Sequence, residues 1–258
     1  MMRRVLIESP FAAPTEEQIQ EHLRYARTAL RDALYRNEAP LASHLLYTQQ
    51  QVTDDTIPEQ RQMGIDAGLA WHRLGQGSRV YTDCGISKGM IYGIKRAKIE
   101  KLPVEYRTIC GWTSEIIKAD ALPAHHYSRP TPKIKKEHLT TPCYVLSTPV
   151  ALAWQENAAD VTFSCACMID SLEKTEAPLP FHMLYTLPDV LDLENPGEKT
   201  LMLDAKKAWL ENCDGLLVYT DQGVTPEMER DIEEAFRLKK PITFRTLTHP
   251  RAVAHMKH

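Results

Sequence analysis

The sequence predicts an α/β protein of two tandem units with parallel sheets, related by internal duplication. Two observations carry this expectation. A constant spacing of 138 residues links the halves: Glu38 with Glu176, His44 with His182, Tyr47 with Tyr185, Pro58 with Pro196, Trp71 with Trp209, Tyr81 with Tyr219 and Arg107 with Arg245. A gap-free register of this kind marks a tandem repeat. Within each half, short apolar runs alternate with longer segments of helical period, the pattern of a parallel sheet with right-handed crossovers.

The elements follow in the same order twice. Residues 5–8 form a short apolar strand, with Val5 and Ile7 β-branched. Thr15-Glu16-Glu17-Gln18 resembles a capping box opening a helix to about Arg36. Along it Ile19, Leu23, Ala26, Leu30, Ala33 and Leu34 recur at helical spacing. Residues 41–47 read as a second strand, and Pro58 opens a second helix. Residues 79–82 read as a third strand, 87–98 as a third helix and 104–107 as a fourth strand. The second half repeats the series at 143–148, 153–174, 179–185, 197–211, 215–220, 225–238 and 242–246. The first strands align with a one-residue slip, Ile7-Glu8-Ser9-Pro10 against Leu146-Ser147-Thr148-Pro149. The units are therefore 1–108 and 142–258. Residues 109–141 form a linker, whose basic, Pro-marked run at 131–136 reads as a solvated connector.

Bulk properties exclude several function classes. With 31 basic and 34 acidic residues the net charge is −3, so no global field draws the chain to nucleic acid or anionic membranes. No stretch approaches a membrane span, and the apolar run Val5-Leu6-Ile7 is too short for an export signal. A cytoplasmic chain with reduced thiols is expected. Cys165 and Cys167 form a C-x-C, but no second ligand pair stands at zinc-site spacing. His125-His126 reads as part of a polar loop. No metal or redox cofactor is implied, since no ligand cluster or dinucleotide glycine pattern is present.

The chemistry gathers where strands end. The stretch Val80-Tyr81-Thr82-Asp83-Cys84-Gly85 recurs as Val218-Tyr219-Thr220-Asp221-Gln222-Gly223. Each copy reads as a strand, an Asp at its end, a Gly turn and a helix start, where open α/β sheets bind ligands. Glu8 closes the first strand, where an unpaired buried charge is costly. It can be capped by backbone N–H groups, bind ribose hydroxyls, or act as an acid or base. Gly85 and the following helix start, at Ser87, suit an anion or a sugar oxygen. His44 and Tyr47 recur as His182 and Tyr185, which fits a site or shared packing. Asp66 and Asp204 point to the site or to solvent.

These segments resemble the nucleoside 2-deoxyribosyltransferase-like superfamily, in particular its small phage and prophage proteins. The resemblance rests on Ile7-Glu8-Ser9-Pro10, on Ala42-Ser43-His44-Leu45-Leu46-Tyr47-Thr48, and on Tyr81-Thr82-Asp83-Cys84-Gly85-Ile86-Ser87-Lys88-Gly89-Met90. It covers residues 4–108, and 143–247 more loosely. It implies a flavodoxin-like three-layer α/β/α unit in each half and a nucleoside or nucleotide partner. It also implies breakage or exchange of an N-glycosidic bond by a Glu at the start of the third helix. The catalytic candidates are then Glu8, Asp83 and Glu229. The substrate-binding candidates are Ser9, Pro10, His44, Tyr47, Gly85, Ser87 and Met90.

The departures from the family pattern are specific. Ile91 stands where the family nucleophile belongs. Repeat two offers Glu229 there, with Glu227 nearby, but lacks the flanking glycines and carries Ser147 against Glu8. An acidic first turn is also favourable at any helix N-terminus. Two readings follow. The repeats pack as a pseudo-dimer that completes one enzymatic site, with further homo-oligomerisation open. Alternatively, catalysis is lost and the fold sequesters a nucleotide or nucleotide-derived signal. A protein without a small-molecule site is a third reading, which leaves Glu8 unexplained.

Overall fold

The computed structural model describes residues 1–49, 52–112, 140–149 and 159–256. The basic run 131–136, His125-His126 and the expected helix opening at 153–158 lie outside the described residues.

Repeat one comprises β1 (Arg3–Glu8), α1 (Glu16–Tyr35), β2 (Glu38–Leu41), α2 (Ser43–Leu46), α3 (Pro58–Ala70), β3 (Ser78–Tyr81), α4 (Lys88–Ile99) and β4 (Val104–Arg107). A 3-10 turn, Trp71–Leu74, prolongs α3. Repeat two comprises β5 (Cys143–Ser147), α5 (Ala159–Glu173), β6 (Ala177–Leu179), α6 (Phe181–Tyr185), α7 (Pro196–Leu210), β7 (Gly215–Tyr219), α8 (Pro226–Arg237), β8 (Ile242–Arg245) and α9 (Pro250–His255). The sheets run β2-β1-β3-β4 and β6-β5-β7-β8, with every pairing parallel. Both units are thus flavodoxin-like. With right-handed crossovers, α1 lies on one face of its sheet and α4 on the other. The strand order reverses at β1, so the carboxyl ends of β1 and β3 flank the switch point of repeat one.

Local chemistry sets the helix limits. Thr15 caps α1 by accepting from the Gln18 amide at 3.3 Å. Tyr25, Ala26, Ala29, Leu30, Ala33 and Leu34 then form its buried stripe. The chain leaves α1 and α5 through left-handed residues at equivalent places, Asn37 and Thr175.

The second strand is shorter and earlier than the sequence suggests. Only residues 38–41 and 177–179 pair with β1 and β5. Residues 43–46 and 181–185 form one helical turn each, closed by the Tyr47 amide on the Ser43 carbonyl at 2.9 Å. A short apolar run fits either state on periodicity alone. Here Thr48 supplies turn chemistry, donating to the His44 carbonyl at 2.6 Å.

The halves share one hydrophobic core and meet as a pseudo-dimer. Helix α7 packs on β1 and β2, and α3 packs on β6. Trp71 and Trp209 stand edge to face, 5.4 Å between ring centroids. Around them the contacts are reciprocal. Tyr47 donates to the Pro178 carbonyl at 3.2 Å, and Tyr185 donates to the Pro40 carbonyl at 2.7 Å. Each tyrosine thus reaches the other repeat at the equivalent residue, as an isologous interface requires.

Candidate functional site

The end of β1 sends its side chains to both faces of the sheet. On one face Glu8 lies against α4, where Gly93 makes room for it. A Cβ at position 93 would stand 1.9 Å from Glu8 Oε1. The Glu8 side chain is 13% exposed, and the His72 imidazole stands beside it, with Nε2 3.4 Å from Oε1. No described residue donates a hydrogen bond to this carboxylate. His72 is 3% exposed, and neither ring nitrogen has a hydrogen-bond partner. A half-paired carboxylate beside a buried, unpartnered imidazole leaves polar groups short of partners at the switch point.

On the other face Ser9 Oγ and His44 Nε2 are 2.8 Å apart. Burial, with His22 nearby, pushes the His44 imidazole down to about 4, so the ring is neutral at pH 7. Repeat two builds the same contact: His182 Nε2 lies 3.2 Å from Thr148 Oγ1 and 3.0 Å from Ser164 Oγ. Burial pushes His182 down to about 3. The hydroxyl–imidazole pair therefore ties the first strand's exit to the turn after the second strand in both repeats. Pro10 is buried beside Ser9.

Asp83 is engaged in holding the chain. Its Oδ2 accepts from Tyr25 Oη at 2.6 Å and from the Ile109 amide at 3.0 Å. Asp221 likewise accepts from the Leu247 amide at 3.0 Å. Both aspartates thus fasten the segment that follows the last strand of their sheet. Gly85, with φ +78°, makes the turn that Gly223 makes at +84°. Ser87 caps α4, accepting from the Met90 amide at 3.3 Å. Met90 is buried with Val80 and Ile94. Tyr47 is buried at the interface, where its hydroxyl also accepts from Trp71 Nε1 at 3.1 Å. Glu229 is exposed on the first turn of α8. Asp66 accepts from Gln62 at 2.7 Å. Asp204 lines a pocket of about 330 Å³ with Met1, Met2, Asn37 and Lys207, at the amino ends of β1 and β2 and away from the rim.

The structure therefore gathers Glu8, Ser9, Pro10 and His44 at the end of β1, with Gly85 and Ser87 on the neighbouring β3 exit. Tyr47, Met90 and Glu229 are not part of that group. Tyr47 and Met90 are held in packing, and Glu229 faces solvent.

The equivalent place in repeat two is already satisfied. Ser147, aligned with Glu8, donates to Asp231 Oδ2 at 2.6 Å. Asp231 is aligned with Gly93, and its Oδ1 pairs with Lys206. One carboxylate thus sits between the first strand and the third helix in each repeat. It comes from the strand in repeat one and from the helix in repeat two. His72 and Gly93 escape a reading of single motifs. Comparing the two copies column by column would find Gly93, since Glu-to-Ser at one column is matched by Gly-to-Asp at the other; His72 stands against Leu210 and carries no such signal.

Among the described residues no group of three or more His, Cys, Asp or Glu side chains is placed to hold a metal ion. Nor is any helix among them long and apolar enough to cross a membrane. No curated protein and no solved structure matches the chain. One family model matches it twice, over residues 3–107 and again over 143–245, so the chain belongs to the family described as Domain of unknown function (DUF7768).

Proposed function

We propose that the rim of repeat one binds a nucleoside or nucleotide and sequesters it without turnover, with Glu8 meeting the sugar. One observation carries the reading. Glu8 ends a buried strand at the switch point, yet no described residue donates a hydrogen bond to it. A carboxylate so placed calls for donors that the described residues do not supply. The resemblance of residues 7–10, 42–48 and 81–90 to nucleoside 2-deoxyribosyltransferase-like proteins points to the same ligand class. Two features favour binding over reaction. Ile91, 41% exposed, fills the position of the family nucleophile, and Asp83 is committed to Tyr25 and Ile109.

A second reading is favoured by His72 at 3.4 Å from Glu8. In it Glu8 exchanges a proton with the imidazole and serves as acid or base in N-glycosidic cleavage or transfer. Incubation with deoxynucleosides, nucleoside monophosphates and NAD, followed by chromatography, separates the two. Retention of one compound with no free base is the expected result. Base release that Glu8→Gln abolishes would establish the second reading. No retention and no release with any of them would refute both.

A further inference from the structure

Repeat two displays what a carboxylate at this place takes when it is satisfied. Asp231 receives one donor on each oxygen, Ser147 Oγ on Oδ2 and Lys206 Nζ on Oδ1. In repeat one the position of Ser147 is Glu8 itself and that of Lys206 is Gly68, so neither can donate. Both Glu8 oxygens lack a hydrogen-bond donor among the described residues, while His72 stands 3.4 Å from Oε1 and is itself unpartnered.

A ligand that brings two donors, spaced to meet the two oxygens of one carboxylate, would complete the same arrangement. Vicinal cis-hydroxyls have that spacing, and a carboxylate can accept on both oxygens at once. We propose that Glu8 takes the 2′,3′-diol of a ribose, one hydroxyl on each oxygen, and that repeat two, already self-satisfied, binds none. The ligand is then a ribonucleotide or ribonucleoside in preference to its 2′-deoxy counterpart, bound once per chain. This rests on the nucleotide reading of the rim and adds the sugar and the stoichiometry to it.

Calorimetric titration of the full chain tests it, with AMP, GMP, CMP and UMP and their 2′-deoxy counterparts as probes. At least one ribonucleotide binds with one site per chain. Its deoxy counterpart binds about tenfold to a hundredfold more weakly, as loss of a hydrogen bond to a charged group requires. Asp231→Asn leaves both the affinity and the single site unchanged. Equal affinity for a deoxy counterpart, or two sites per chain, would overturn the diol assignment while leaving nucleotide binding intact. Failure of every probe to bind would overturn the nucleotide reading and this inference together.

Discussion

Gly93→Asp, alone and combined with Glu8→Ser, tests the exchange of carboxylates between strand and helix. A Cβ at position 93 would stand 1.9 Å from Glu8 Oε1 and 2.1 Å from Cδ, so any side chain there displaces the Glu8 carboxylate. Overpacking of this kind costs about 1–3 kcal/mol. Aspartate adds a second carboxylate in the same largely buried groove, so the single variant should lose about 3 kcal/mol or more. Glu8→Ser alone removes the carboxylate that fills the space beside Gly93 and His72, a loss of about 1 kcal/mol. The double variant recreates the Ser147–Asp231 contact, which is 2.6 Å in repeat two. It should recover stability, with a coupling of about 2 kcal/mol, within the range known for contacting residues. Urea unfolding followed by tryptophan fluorescence gives the four corners of the cycle. Additive losses, with coupling below about 0.5 kcal/mol, would show that the two columns do not compensate.

Further outcomes follow from contacts already described. Tyr47→Phe and Tyr185→Phe each strand a carbonyl of the other repeat and should cost about 1 kcal/mol, or about 2–4 °C in Tm. Tyr47→Phe should cost more, because it also strands Trp71 Nε1, and thermal melts will rank the two. His44 and His182, held neutral by burial at about 4 and about 3, bind protons in the unfolded chain near 6.5 but not in the folded one. Stability should therefore fall as pH drops below about 6.5, by up to about 1.4 kcal/mol per pH unit per ring, and level off below the folded values. Asp170, held at about 2 by Lys174, Tyr219 and two backbone amides, adds its own loss only below about 4. Urea midpoints between pH 7.5 and 5 check the slope, which His182→Gln should reduce. Among the thiols, exposed Cys110 should react fastest with a disulfide reagent at pH 8. Cys143 and Cys165, pushed up to about 12 by burial, should react only on unfolding. Rapid labelling of either in the native state would contradict the packing.

The fold was largely legible because duplication and alternation are written in sequence spacing. The second strand was not, since a seven-residue apolar run is read equally by strand and turn until Pro40 and Thr48 are weighed. The site was legible only in part. Glu8 stands out locally as a charge closing an apolar strand. Its neighbours do not, because His72 and Gly93 come from distant segments and neither is distinctive alone. Retention in both copies fits shared packing as well as a shared site. Tyr47, His44 and Asp83 recur because the interface, the strand exit and the last loop recur, so what the copies share is mostly scaffold. What distinguishes them lies at positions 8, 72 and 93.

The reciprocal tyrosines and the paired tryptophans tie together two halves made as one chain. A homodimer with the same interface would come apart on dilution, and any substitution would strike both of its pockets at once. Covalent fusion removes both constraints. The second half is held beside the first by the chain itself, and its residues can change without changing those of the first. The Ser147–Asp231–Lys206 set shows such freedom at one place: repeat two satisfies its carboxylate from within the chain, a change a homodimer could not make in one half alone.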